Sequence, residues 1–190
     1  MGDPGGGGAL NIRPATQRDA AAVAAIYGHH VRHGLGTFEE VPPSEDEMAQ
    51  RMAVVLELGL PYLVMEDAGR VLGFSYASAF RQRAAYRYTA EESVYIHPDH
   101  LAQGIGKALV AEVISRCETL GLRQLVAVIG DSQNAGSIGL HRSLGFLEIG
   151  VGRGFGFKHG RWVDIVQMQK PLNGGDATPP DGAGLTLGGA

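Results

Sequence analysis

"VYIHPDHLAQGIGKALV", residues 94–110, changes character twice in seventeen positions. It opens on Val94, Tyr95 and Ile96, a β-branched and aromatic run that predicts a strand. A polar turn follows at His97–His100, then two glycines, Gly104 and Gly106. From there the period becomes helical: Ile105, Leu109, Val110, Val113, Ile114, Cys117 and Leu120 fall on one face, and Gly121 ends the run. The glycines therefore sit where a strand-turn-helix unit begins its helix. Backbone N–H groups at a helix start have no intrahelical partner, and the macrodipole there favours anions. Glycine removes the Cβ atoms that would obstruct a phosphate, and Gln103 and Lys107 add polar donors. A helix packed tightly against a neighbour needs small residues too, so the glycines alone leave both readings open.

Two phosphate-binding patterns do not fit. The dinucleotide fingerprint needs a third glycine where this chain has Leu109. The nucleoside triphosphate loop needs Ser or Thr after Gly106–Lys107, where Ala108 stands, and a glycine where Leu101 stands.

Outward from this unit, "ALNIRPA" predicts a first strand, and Thr16 with Asp19 an acidic capping box opening a helix. Ala20, Val23, Ala24, Ile26 and Tyr27 supply that helix's apolar face. Ser44 and Glu47 have capping-box spacing for a second helix, stopped by Gly59 and Pro61. "PYLVMED" and "RVLGFSYASAF" predict two strands joined by a turn near Asp67–Gly69, and "EESVYIH" another. "RQLVAVIG" is a buried strand, Asn134–Leu144 a short helix closed by Gly145, and "GFLEIGVG" and "WVDIVQMQK" two last strands. The order β-α-α-β-β-β-α-β-α-β-β predicts a mixed α/β domain around one central sheet. Both ends are Gly- or Pro-rich. Residues 1–9 and 173–190 are expected as flexible tails around a domain spanning 10–172, because they bury too little apolar surface to offset ordering.

The apolar fraction of 44% and charged fraction of 19% are those of a soluble globular chain. A net charge of −4 gives no electrostatic case for nucleic acid. The single cysteine, Cys117, excludes an intrachain disulfide, and its place on an apolar helical face indicates core packing. No run approaches the ~20 apolar residues of a membrane span, and no export signal is seen, which makes the cytoplasm the default. His29 and His33 have i, i+4 spacing, but no Glu follows His29 as a zinc-protease helix requires. No metal is expected.

"VYIHPDHLAQGIGKALV" together with "NAGSIGLHRSLGF" resembles the two acyl-CoA motifs of the GNAT superfamily of N-acetyltransferases. "AIYGHHV…TFEEVPPS", "RAAYRYTAEESVY" and "GFKHGRWVDIVQMQ" narrow the resemblance to the phosphinothricin and methionine sulfone/sulfoximine N-acetyltransferase branch. The resemblance implies a GNAT fold: a mixed sheet of about seven strands, flanked by about four helices, with central strands splayed into an acetyl-CoA cleft. It implies acetylation of the α-amino group of a small amino-acid analogue, acetyl-CoA as co-substrate, no metal and a homodimer. The pyrophosphate loop would be Ala102, Gln103, Gly104, Ile105, Gly106 and Lys107. Val94, Tyr95 and Ile96 would contact the coenzyme through their main chain, and Asn134 would hydrogen-bond its arm. One departure is Leu101, where the superfamily carries Gln or Arg. Backbone amides supply most of the phosphate binding and are unaffected.

The resemblance makes Glu91 the general base. Glu92 is adjacent, and strand neighbours face opposite sides, so only one of the two reaches the substrate. His141, where many members carry tyrosine, would protonate the leaving thiolate or orient the amine. Arg83 and Tyr86, with Arg81, would hold the substrate's anionic groups, since an arginine fork suits carboxylate and phosphinate oxygens. Phe38 would wall the side-chain pocket. Two other classes stay open on the residues: an acetyltransferase for a peptide, polyamine or aminoglycoside amine, and a non-catalytic acetyl-CoA sensor.

Overall fold

The computed structural model describes residues 10–187; the N-terminal tail expected at 1–9 lies outside the described residues. Strand β1 (Asn11–Pro14) leads into helix α1 (Ala20–His33) through one 3-10 turn. The expected capping box is present: the Thr16 amide donates to Asp19 Oδ2 at 2.7 Å. Arg13 donates to both Asp19 oxygens at 2.8 Å, tying the helix start to β1. Helix α2 (Glu45–Glu57) is capped by Ser44, whose Oγ accepts from the Glu47 amide at 3.1 Å. Strands β2 (Tyr62–Asp67) and β3 (Arg70–Ala79) form a hairpin. Then come β4 (Thr89–Ile96), α3 (Ile105–Thr119), β5 (Gln124–Gly130), α4 (Ala135–Ser143), β6 (Leu147–Lys158) and β7 (Arg161–Pro171). This is the order expected from the sequence, with β6 running further than its apolar segment indicated.

The seven strands form one sheet in the order β1-β2-β3-β4-β5-β7-β6. Every pairing is antiparallel except β4 with β5. That parallel ladder is short: it runs from Thr89↔Gln124 to Glu92↔Ala127 and stops. Beyond it β4 stays paired with β3 as far as Ile96↔Gly73, and β5 with β7 as far as Gly130↔Ile165. The two central strands therefore part company after Glu92, leaving a wedge in the middle of the sheet.

Helix α1 packs on one face, where Tyr95 of β4 meets Tyr27 edge-on at 4.8 Å and His30 at 5.5 Å. Phe74, Tyr62 and Tyr76 stack in the same layer. Helices α3 and α4 cover the other face. Leu109, Val110, Val113 and Cys117 are fully buried there, as the helical period predicted, each large aliphatic side chain stabilising by about 1.5–3 kcal/mol. Leu120 departs from that expectation: it is the C-cap of α3 and 44% exposed, because the helix ends before its face turns inward again.

Of the segment 173–190, expected as a flexible tail, the described part to residue 187 makes hydrogen bonds with the domain. The buried guanidinium of Arg123 donates to the carbonyls of Gly175 (2.8 Å), Thr178 (2.7 Å) and Pro179 (3.3 Å). Tyr88 donates to the Gly182 carbonyl at 2.7 Å, and the Leu185 amide to the Arg87 carbonyl at 2.8 Å. Composition counts only apolar burial, whereas this segment is held by a buried cation whose donors need carbonyl partners.

Candidate active site

The wedge between β4 and β5 opens into a cavity of about 770 Å³, bounded by the loop before α3, the start of α4 and the end of α1. The loop before α3 is shaped by two left-handed residues, Ala102 at φ 59° and Gly104 at φ 80°. Glycine adopts that conformation without strain, and Gly104 is the N-cap from which α3 starts. The free amides of the first helical turn thus face the mouth of the cavity. Gly130 closes the far wall. A Cβ there would lie 2.0 Å from the carbonyl oxygen of Leu35, so only glycine lets the 34–36 loop cross the end of β5.

Of the residues expected at the coenzyme, Val94, Tyr95, Ile96, Ala102, Gly104, Ile105, Gly106, Lys107 and Asn134 line this cavity; Gln103 is exposed and outside its lining. Asn134 caps α4, its Oδ1 accepting from the Ser137 amide at 3.1 Å. Leu101 lies at the mouth, 56% exposed. His30 also lines the cavity, with Nε2 2.8 Å from the Ile96 carbonyl. Burial lowers its pKa, so a neutral ring donates that bond and pins the end of β4 to α1. Cys117 is core, its thiol pushed up to about 12 by burial. Among the described residues no group of three His, Cys, Asp or Glu side chains is placed to hold a metal ion.

The two glutamates of β4 separate as the pleat demands. Glu91 shares its face with Tyr95, toward α1, and is half-buried. Burial raises its pKa, with the charge of Arg81 opposing and that of Glu92 adding to the rise. Glu92 points to the opposite face and its side chain is fully buried. There it accepts from Ser75 Oγ at 3.1 Å and sits 2.7 Å from His141 Nε2. This buried trio was not foreseen; Ser75 carries no sequence signal, and Glu92 was legible only as the neighbour of Glu91.

The residues expected to bind the acceptor, Phe38, Arg81, Arg83, Tyr86 and Glu91, lie outside the cavity lining. Arg81 lies over the Phe80 ring at 4.9 Å, and Phe80 meets Tyr86 edge-on at 5.6 Å. Arg83 caps the short 3-10 turn Ala84–Tyr86 and is exposed. Phe38 is 38% exposed and packs against the backbone of Gly156 in β6, where a Cβ would meet its ring at 2.5 Å. The loop that carries Phe38 is tied down by Lys158, whose buried ammonium donates to the Thr37 carbonyl at 2.7 Å. It is also tied by Glu39, which accepts from Tyr27 (2.8 Å) and Arg51 (2.7 Å).

A wedge at the end of a lone parallel ladder, fed by a glycine-led helix start, is matched by the family comparison. The model of the acetyltransferase (GNAT) family matches residues 22–146. The chain belongs to the GNAT family. It is an N-acetyltransferase by family, and its sequence is similar to those of enzymes named for phosphinothricin and for methionine sulfoximine/sulfone. It is 52% identical over 173 residues to the phosphinothricin N-acetyltransferase of Alcaligenes faecalis, covering 91% of this chain and 88% of that one. It is 37% identical to the L-methionine sulfoximine/L-methionine sulfone acetyltransferase of Salmonella typhimurium, over 86% of this chain and 95% of the relative. A GNAT phosphinothricin acetyltransferase from Sinorhizobium meliloti, solved with acetyl-CoA, superposes with a TM-score of 0.87 at 48% identity, covering 90% of this chain and 92% of that one.

Proposed function

We propose that this GNAT enzyme acetylates the α-amino group of a small amino-acid analogue of the phosphinothricin or methionine sulfone/sulfoximine type, with acetyl-CoA as donor and Glu91 as general base. The observation that carries the reading is the placement of the two half-sites. A cleft lies between β4 and β5, and Glu91 stands on the α1-facing side of β4, close enough to Arg81 for that charge to act on it. The named relatives support the substrate class.

The residues fit the coenzyme. The amides at Gly104–Lys107 suit a diphosphate, and the unpaired edges of Ser93–Ile96 and Val128–Gly130 suit an extended amide-bearing arm that pairs as a strand would. Acetyl-CoA supplies an activated acyl group, so the protein has only to align the partners and carry the two nitrogen protons away. An α-ammonium cannot attack until deprotonated. Glu91, its pKa raised by burial, accepts that proton directly or through one water. Main-chain amides of β4 oppose the charge that develops on the carbonyl oxygen. Arg83 and Arg81 hold carboxylate and phosphinate or sulfone oxygens, with Tyr86 and Phe38 walling the side chain. His141 serves the sulfur side of the reaction.

The enzyme acts as a homodimer. Strand β6 is a sheet edge that exposes Leu147, Ile149, Phe155 and Phe157, with Trp162 of β7 beside them, each more than half exposed. An apolar edge strand of this kind is covered in a stable protein, and a second copy supplies the complementary strand. We assign the enzyme to the cytoplasm; no helix among the described residues is long and apolar enough to cross a membrane.

The test is thiol release from acetyl-CoA with phosphinothricin, methionine sulfone, methionine sulfoximine, spermidine and an N-terminal peptide as acceptors. Turnover is expected with the first three. Turnover with spermidine or the peptide alone would replace the substrate assignment, and coenzyme binding without turnover on any amine would make the protein a sensor. Sedimentation equilibrium is expected to give a dimer, and Trp162→Glu a monomer.

A further inference from the structure

Glu92 and His141 form a buried pair that the acceptor-side chemistry does not use, and the geometry fixes how their proton is shared. His141 Nδ1 lies 2.8 Å from the carbonyl oxygen of Ser137, an acceptor only, so Nδ1 carries a proton. Nε2 lies 2.7 Å from Glu92 Oε2. A neutral ring would then aim a lone pair at a carboxylate, which is repulsive at that distance. The pair must hold one more proton, on the ring or on the carboxyl. Ser75 Oγ donates to Glu92 Oε1 at 3.1 Å, so with the proton on the ring both carboxylate oxygens accept a hydrogen bond, an arrangement that suits the ring as the cation. Burial works against that charge, but the hydrogen bond and proximity to Glu92 outweigh it, and the His141 pKa is raised.

The Ser137 hydroxyl also lies near Nδ1, at 3.4 Å, but the Ser137 carbonyl at 2.8 Å is the closer partner and keeps the proton on that nitrogen. Cys117 on α3 is neutral, and Phe146 meets the His141 ring edge-on at 5.1 Å. Glu91, Tyr76 and Tyr95 act on Glu92 only from across the strand, and burial raises the pKa of each. The site of the pair matters more. Glu92↔Ala127 is the last rung of the β4–β5 ladder, hence the closed end of the wedge whose mouth is the α3 start. An arm entering beside Gly104 and running along β4 ends there, with its reactive terminus beside the pair.

We propose that Glu92 is a positioning residue: with Ser75 it fixes the His141 ring and keeps it an imidazolium at the closed end of the cleft, where its charge opposes the negative charge gathering on the coenzyme sulfur. The inference rests on the acetyl-transfer reading above. In the step, the amine nitrogen forms a bond to the acetyl carbon while the carbon–sulfur bond breaks and leaves its electron pair on sulfur. The ammonium proton has by then left through Glu91 to solvent; the second nitrogen proton passes to the Glu91 carboxylate as the amide forms, and the thiolate departs paired with the imidazolium and takes its proton from water on release. Holding the cation in place beforehand costs no reorganisation during reaction.

The experiment uses the full chain labelled with 15N-histidine, with His141→Gln to assign the ring. The wild-type ring is expected to show imidazolium nitrogen shifts at about pH 7.5, where an ordinary histidine is neutral. In Glu92→Gln, an isosteric change, the ring is expected to turn neutral at that pH. Its kcat should fall about 10- to 100-fold while the acetyl-CoA Kd and the acceptor KM stay within about twofold. Glu92→Asp, which keeps the charge, should recover the imidazolium signal and part of kcat. A neutral ring in the wild type overturns the proposal, as does Glu92→Gln with unchanged kcat. Failure of the wild type to acetylate any amine would sink the functional reading instead, and the nitrogen spectra would still decide the state of the pair.

Discussion

The two halves of this site are made of different materials. The donor half is backbone: a wedge left by an interrupted ladder, a left-handed loop and the first turn of a long helix. The proposed acceptor half is side chains, several of them exposed, on the 34–43 loop and the 80–88 loop. Main-chain donors do not depend on side-chain identity, so the donor half tolerates departures such as Leu101. The acceptor half has no such protection. On the proposed assignment, a single exchange among Phe38, Arg81, Arg83 and Tyr86 alters which anion fits. A family can therefore keep one donor and change acceptors, because the two are recognised by parts of the chain under different constraints.

Substitutions that load one half and spare the other test this contrast. The largest expected effect is that of Glu91→Gln: kcat lower by about 10²–10⁴-fold, the usual worth of a positioned base, with acetyl-CoA affinity measured by calorimetry unchanged. Because burial raises the Glu91 pKa, the acid limb of kcat/KM in the wild type should titrate above the ordinary carboxylate range, activity rising as the group ionises. That limb should vanish in the variant. If it persists, another group is the base.

Gly130→Ala attacks the donor half. Its Cβ would meet the Leu35 carbonyl at 2.0 Å, and both residues line the cleft. A loss of about 1–3 kcal/mol in urea melts is expected, together with weaker acetyl-CoA binding and little change in the relative use of different amines. A change in amine preference alone would show that the halves are not separable in this way. Arg83→Ala should do the reverse: a rise of about tenfold in acceptor KM, the worth of a charged hydrogen bond, with acetyl-CoA Kd unaltered.

The smallest kinetic effect is expected far from both halves. Asp19→Asn weakens the cap that joins α1 to β1, costing about 0.5–2 kcal/mol of stability, with kcat and both KM values unchanged. The Arg13 hydrogen bonds hold the Asp19 pKa below its ordinary value. Its contribution is therefore complete above the unfolded pKa of ~3.9 and is lost as pH falls through the lower folded value. Acid melts of the variant should show a shallower loss over that range than the wild type.

Local signals determined the element order, since each element carries its own. Helix starts were legible at Thr16–Asp19 and Ser44–Glu47, helix ends at Gly59, Gly121 and Gly145, and the buried face of α3 in a period of 3.6. Gly104 before an apolar helix marked the helix start for the same reason: its cause lies within a few residues. Pairings between distant segments were decided only by the tertiary structure. Strand parity says that Glu91 and Glu92 diverge, but packing of α1 on one face and α4 on the other decides which of them faces α1 and which meets His141, 49 residues away. The same holds for the interrupted ladder at Glu92↔Ala127 and for Arg123, whose buried guanidinium captures the segment at 175–179. A lone charged residue in a sequence gives its own desolvation cost but not the partner that offsets it, and that partner is fixed only when the chain closes on itself.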